Sequence, residues 1–252
     1  GCDCRNIPPA DIAHIHGLWD PWLDYKVDAW HGKRVPIVWS PHGMLSPWSM
    51  RHKWWKKIPY WFLLERKKFG KASLVHVTSV QEKDWVCKYG ERRKVVVAPL
   101  GVRLPEQVRR PLQGMSRRRT LLFVGRIYPV KGLDLLIAAF DRLKDCNWQL
   151  RIVGPDQAHY MRKLLKTALA MGWKTQVSRN DGVPFELSKG FKSISFAGPR
   201  YEAQLVAEYE HADAFVLPSY TENFGSVVVD ALAYALPVLT STATPWQILK
   251  ER

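Results

Sequence analysis

Acidic residues are scarce in this chain. Its 252 residues hold 23 Asp and Glu against 38 Lys and Arg, a formal net charge of +15. That imbalance calls for an anionic partner: nucleic acid, an acidic membrane surface or a phosphorylated substrate. Cysteine is scarce as well. Cys2, Cys4, Cys87 and Cys146 make no disulfide framework. Cys2-Asp3-Cys4 is at most half of a metal site, because no second Cys/His pair lies at ligand spacing. The thiols therefore read as reduced residues of a cytosolic protein. No apolar run approaches the roughly 18 residues of a membrane span. No signal-peptide pattern is visible in a chain that starts at Gly1 rather than Met, and no internal repeat recurs. What remains is ordinary globular composition, 46% hydrophobic and 24% charged, ample for a sizeable core.

Short apolar runs alternate with helical patterns along most of the length. Strands are expected at Ile12 to Ile15, Pro36 to Trp39, Leu74 to Thr78, Val95 to Ala98, Leu121 to Gly125, Gln149 to Val153, Ile194 to Ala197, Ala214 to Pro218 and Pro237 to Thr240. Helices fit at Trp54 to Phe69, Val80 to Tyr89, Gly132 to Leu143, Ala158 to Met171, Tyr201 to Glu210 and Gly225 to Tyr234. Such alternation predicts α/β architecture with parallel sheets, and ligands at the carboxyl ends of the strands. Residues Val102 to Arg119 are polar, basic and aperiodic, which predicts a linker between domains at 1–103 and 120–252. The stretch Trp173 to Lys192, with Asn180-Asp181-Gly182, Pro184 and Gly190, reads as a long loop.

The most informative segment runs from Ser219 to Ser241. A strand ends in a polar loop carrying Glu222, Gly225 follows, and an Ala/Val/Leu helix holds Asp230. A helix starting beside Gly225 aims free N–H groups at the loop, and phosphate is the usual guest there. Asp230 lies four residues after Ser226 on one helical face, where a carboxylate can accept hydrogen bonds from a ribose. Leu121 to Gly132 offers Arg126 and Lys131 after another strand: a planar fork and a point charge that suit a diphosphate. His42, in Pro41-His42-Gly43, follows a strand end beside a glycine that permits close approach. His14 and His16 project to one strand face, as core and cleft packing rather than a metal pair. The run Trp48 to Lys71 interleaves aromatics with cations. It reads either as a solvated helix with its aromatics inward or as a surface for anionic lipid headgroups. No nucleic-acid motif accompanies the charge.

Together these segments resemble the family 4 retaining glycosyltransferases, especially those of bacterial cell-surface polysaccharide synthesis. The matches are His14-Ile-His-Gly-Leu-Trp19, Ser40-Pro-His-Gly-Met-Leu45, Thr78-Ser79 with Glu82, Pro99-Leu-Gly101, Gly125-Arg126 with Lys131-Gly132, Gly154-Pro-Asp156, Leu217-Pro-Ser219, Glu222-Asn-Phe-Gly225 and Thr244-Pro-Trp246. The resemblance implies a GT-B-like fold: two Rossmann-like, doubly wound parallel-sheet domains facing a cleft. It implies a metal-independent transfer of hexose from a UDP- or GDP-sugar to a saccharide or lipid-linked acceptor, with retention, at the cytoplasmic membrane face. Arg126 and Lys131, with Gly125, would hold the diphosphate. Glu222 would contact the donor sugar, and Asn223, Phe224, Gly225 and Ser226 would serve sugar and phosphate. Asp230 would take the ribose, and His42 would approach the sugar from the N-terminal domain.

Departures from the family pattern shape the expectations. Asp230 stands where Glu is usual, and Ala235 where Gly is usual. The family's glycine-rich first loop and its closing helix have no counterpart, so the N-terminal domain is expected to be incomplete and both ends truncated. The alternative reading is accordingly a non-catalytic remnant that binds nucleotide or anionic membrane without transfer.

Overall fold

A computed structural model describes residues 9–89, 94–105, 119–143, 146–177 and 193–250. The chain divides into two compact units, one of residues 1–100 with Glu222–Phe224, the other of residues 101–221 and 225–252.

In the first unit β1 (Ala13–His16), β2 (Ile37–Ser40), β3 (Leu74–Val77) and β4 (Val95–Val97) form one parallel sheet in the order β1-β2-β3-β4. Helices α1 (Pro21–Gly32), α2 (Pro47–Arg51), α3 (Trp54–Tyr60), α4 (Arg66–Phe69) and α5 (Val80–Lys88) lie between them in sequence. Strand order that follows chain order, with right-handed crossovers, sends these connections over one face of the sheet. Ile15, Ile37, Trp39, Val75 and Val77 are buried with Trp61, Phe69 and Val86. Trp39 also satisfies its indole, which donates to the Gly17 carbonyl (2.7 Å).

The second unit is built on a six-stranded parallel sheet. Its strands are β5 (Arg119–Val124), β6 (Trp148–Val153), β7 (Lys174–Val177), β8 (Ser193–Phe196), β9 (Ala214–Leu217) and β10 (Val238–Thr240), in the order β10-β9-β5-β6-β8-β7. Helices α6 (Leu133–Asp141), α7 (Tyr160–Ala170), α8 (Glu202–His211) and α9 (Ser226–Ala233) connect them. β5 and β9 are almost wholly buried apolar runs, as central parallel strands covered on both faces must be. From β5 the chain adds β6, β7 and β8 on one side, then crosses back to add β9 and β10 on the other. The order therefore reverses between β5 and β9, and their carboxyl ends form a topological switch point, the place where such sheets bind ligands.

Two parts of the molecule depart from the sequence reading. The stretch beginning at Trp173 is not loop from its start, because Lys174–Val177 pairs with β8 as an edge strand. Its remainder, 178–192, lies outside the described residues, as do 106–118 of the expected linker and the Cys2-Asp3-Cys4 segment. Helices α1 and α2 were not signalled. Of the α1 side chains described, Val27 is fully buried and Trp30 is partly buried against the same core.

Candidate active site

The loops after β5, β6, β8 and β9 are knitted together at the switch point. Gly154 donates to the Gly198 carbonyl (2.9 Å), Ile127 to Pro155 (2.9 Å) and Tyr220 to Val130 (2.9 Å). Two glycines make this possible. Gly132 has φ +66°, and a Cβ there would stand 2.2 Å from the Pro218 carbonyl oxygen. Gly154 has φ +142°, and its Cβ would fall 2.0 Å from the Gly125 oxygen. Only a residue without a side chain lets the backbones approach so closely.

This frame carries the two cations expected from the sequence. Arg126 is exposed, and its Nη1 donates to Gln157 Oε1 (3.1 Å). The Lys131 side chain passes over Gly125, its Cε 3.9 Å from where a Cβ at 125 would lie. Helix α9 begins at Gly225, in left-handed conformation (φ 75°, ψ 57°) and without a capping side chain. Its first N–H groups are thus left for a ligand, and the helix dipole adds partial positive charge. The edge is equipped to hold an anion.

Farther along α9, Asp230 lines a cavity of about 700 Å³ with Leu205, Tyr209, Tyr234 and residues 103–105. Burial pushes the Asp230 carboxyl above its ordinary range. The Tyr209 and Tyr234 rings stack (5.3 Å, 4°). Tyr209 is 2% exposed and its hydroxyl lacks a hydrogen-bond partner. Burial, and then the Asp230 charge, drive that phenol's pKa far upward. Flat apolar surface, a carboxylate and an unsatisfied hydroxyl are chemically suited to a planar ring carrying hydroxyl groups. Below the site a buried ion pair fixes α8. Arg151 makes two bonds to Glu208 (2.9 and 2.6 Å), and Arg200, from the loop after β8, adds a third contact (3.5 Å).

The first unit presents histidines at the carboxyl ends of β1 to β3. His76 Nε2 bonds the Ala98 carbonyl (2.8 Å), which makes that nitrogen the donor. In that tautomer Nδ1 accepts from Ser40 Oγ (2.8 Å), and Ser40 Oγ accepts from His14 Nε2 (2.8 Å). His14 and His16 stand 4.2 Å apart, and His16 Nδ1 lies 2.8 Å from His42 Nε2 with the rings stacked. The pKa values of His14 and His42 are lowered, chiefly by burial and next by His16. His42 and Gly43 both have positive φ (50° and 71°). Glu82, 1% exposed, fixes this turn. One oxygen accepts from the Gly43 N–H (2.6 Å) and the other from the N–H and hydroxyl of Thr78 (2.8 and 3.0 Å). Ser79 caps α5 by accepting from the Glu82 N–H, and its hydroxyl donates to the Asn223 carbonyl (2.9 Å).

Family models match both halves of the chain: "Glycosyl transferases group 1" over residues 118–251 and "Glycosyltransferase Family 4" over residues 5–105. The chain belongs to the family 4, group 1 glycosyltransferases. A D-inositol 3-phosphate glycosyltransferase of Corynebacterium aurimucosum is 30% identical over 92% of this chain and 55% of its own length. The Nocardia farcinica enzyme of that name is 29% identical over 95% and 53%. This glycosyltransferase chain thus spans about half the length of the curated relatives it matches. Among solved structures, Anabaena HepE in complex with UDP and glucose superposes with TM-score 0.69 at 19% identity, over 94% of this chain and 61% of its own. The lipopolysaccharide outer core galactosyltransferase WaaB superposes with TM-score 0.59 at 18% identity, over 87% and 54%. These likenesses establish the GT-B fold.

Of the residues assigned from the family resemblance, Gly125, Arg126, Lys131, Gly225, Ser226 and Asp230 lie in the second unit of this glycosyltransferase. His42, Glu222, Asn223 and Phe224 lie in the first. The sequence reading missed the relay of Ser40 and His76, the hold of Glu82 on the His42-Gly43 turn, and Tyr209. Ser79-x-x-Glu82 was a visible helix-start signal. Nothing in sequence spacing announced the others: Ser40 and His76 meet because neighbouring parallel strands bring them together, and Tyr209 depends on which face of α8 turns inward.

Proposed function

We propose that this glycosyltransferase moves a hexose from a UDP- or GDP-sugar to a saccharide or lipid-linked acceptor, with retention and without a metal, in cell-surface polysaccharide synthesis. The observation that carries the reading is the switch point of the second unit. Two cations and an uncapped helix start stand at the β5 and β9 ends, beside a cavity that holds a carboxylate. The diphosphate is assigned to Arg126, Lys131 and the α9 N–H groups, and the nucleoside to the cavity, its ribose hydroxyls donating to Asp230. When the bond between sugar and diphosphate breaks, the electron pair goes to phosphate oxygen. Preorganised cations and N–H donors stabilise that charge without reorganising. Glu222 is assigned to the donor sugar's hydroxyls and His42 to the sugar end of the reaction. The enzyme is placed in the cytoplasm, at the inner face of the plasma membrane.

Calorimetric titration of the 252-residue chain with UDP, GDP and their hexose derivatives tests this. Saturable binding of one nucleotide, weakened about tenfold or more in Arg126→Ala because a charge-assisted contact of some 1.5–3 kcal/mol is lost, is the expected result. Binding unaffected by Arg126→Ala would refute the assignment. Nucleotide binding without transfer to any acceptor would support the non-catalytic reading instead.

A further inference from the structure

Residues 54–69 form one continuous helical rod, α3 running through a π turn at Trp61–Glu65 into α4. Pro59 lies inside α3, where it has no N–H to give the preceding turn. The rod then widens, the Arg66 N–H reaching back to the Trp61 carbonyl. Trp61, Glu65 and Phe69, spaced by four, are 0%, 1% and 2% exposed. Trp61 packs on the rings of Trp19, Phe69 and Tyr89, while Glu65 accepts from the Trp19 N–H (3.3 Å). That face is the inward one.

The outward face is apolar over much of its length too, unlike that of a helix made for water. Phe62 is 60% exposed, Leu63 76% and Leu64 47%, with Trp54 and Trp55 at 63% and 59%. Helical spacing puts Trp55, Pro59, Leu63 and Lys67 along one outward line. Cations flank the apolar strip. Between Pro47 and Lys71 the chain has eight Lys and Arg but one acid, the inward Glu65. Lys53 and Lys56 sit at the helix start, where the dipole disfavours positive charge, and no acidic side chain occupies that first turn.

We propose that this face docks on an anionic lipid bilayer, Phe62, Leu63 and the Trp54–Trp55 pair entering the headgroup region while Lys53, Lys56, Arg66 and Lys67 meet lipid phosphates. An apolar centre with a cationic rim matches that surface. A second copy of the chain would set these cations against themselves. Nucleic acid offers no partner for Leu63 and Leu64, which have no ring to stack. The proposal rests on the placement at the membrane made above, and lipid binding is measured without donor or acceptor, so its failure is distinct from failure of the nucleotide site.

The test is co-sedimentation of the full chain with phosphatidylcholine vesicles and with vesicles holding about 30% phosphatidylglycerol, at low and raised salt. Binding to the anionic vesicles at least about tenfold stronger than to the neutral ones, and reduced by salt, is expected. Phe62→Ser/Leu63→Ser should weaken it by about tenfold or more and leave nucleotide binding and the melting temperature unchanged. Fluorescence of the unmodified protein should be quenched by acyl-brominated lipid, and Trp54→Phe/Trp55→Phe should reduce that quenching. Equal affinity for neutral vesicles, no effect of the serine pair, or no quenching would overturn the proposal. So would a lipid-free dimer that the serine pair converts to monomer.

Discussion

Gly132 locks the β5 loop to the β9 loop, and replacing it with Ala should break that lock. Two costs add. The residue has φ 66° and ψ 26°, and a side chain in this left-handed region costs roughly 1–2 kcal/mol. The new Cβ would also stand 2.2 Å from the Pro218 carbonyl oxygen, where ordinary contact begins at 3.4 Å, so backbone must retreat by the difference of 1.2 Å. That retreat strains the neighbouring bond from the Tyr220 N–H to Val130, worth about 1 kcal/mol. Gly132→Ala is therefore expected to lose about 2–3 kcal/mol in urea unfolding. A 1 Å misplacement of the β9 loop should also lower transfer about 100-fold. Gly172→Ala is the control. It has φ +80° but nothing within 4 Å of the added Cβ, so only the conformational cost of about 1–2 kcal/mol applies. Equal destabilisation by the two substitutions would refute the steric argument. A Gly132→Ala enzyme with unaltered nucleotide affinity and turnover would refute the claim that the two loops position the site.

Glu208→Gln should cost about 3–5 kcal/mol of stability, because the buried Arg151 and Arg200 guanidinium groups would lose the carboxylate they share; a loss under about 1 kcal/mol by urea unfolding would contradict this. Ala235 should become Gly with profit to the fold: relief of about 1–2 kcal/mol of left-handed strain, less about 0.4–1 kcal/mol of unfolded-chain entropy, predicts a gain near 0.5–1 kcal/mol. Thermal unfolding checks the sign, and a lower melting temperature would refute it. His14 and His42 have pKa values below 6.5 in the native chain, so each contributes stability that is present above about pH 6.5 and lost as pH falls through the lowered native value. Melting temperature should decline on acidification from that point, less steeply in His14→Asn/His42→Asn, and a rise on acidification would contradict the assignment.

How much of the molecule was legible follows from where its signals lie. The strands of the second sheet announce themselves because central parallel strands are continuous apolar runs; β7 did not, since Lys-Thr-Gln-Val at an edge buries little. The 54–69 helix was legible in extent. Its orientation was not, because aromatics and cations alternate too closely to tell inward Trp61 from outward Trp55 and Phe62 until the π turn is seen. The residues proposed for the diphosphate could be named because each follows a strand end. Tyr209 and Glu208 could not, since their roles depend on which face of α8 meets the sheet. Ala235 shows a sequence departure acquiring its physical meaning. Leu236 donates to the Ala231 carbonyl and Ala235 to Leu232, the two bonds of a Schellman helix end, which requires a left-handed residue between them. Ala235 takes that conformation at φ 54°. The turn that carries α9 into β10 is therefore kept although its preferred glycine is gone, and the substitution is felt as strain at the end of α9 remote from Gly225.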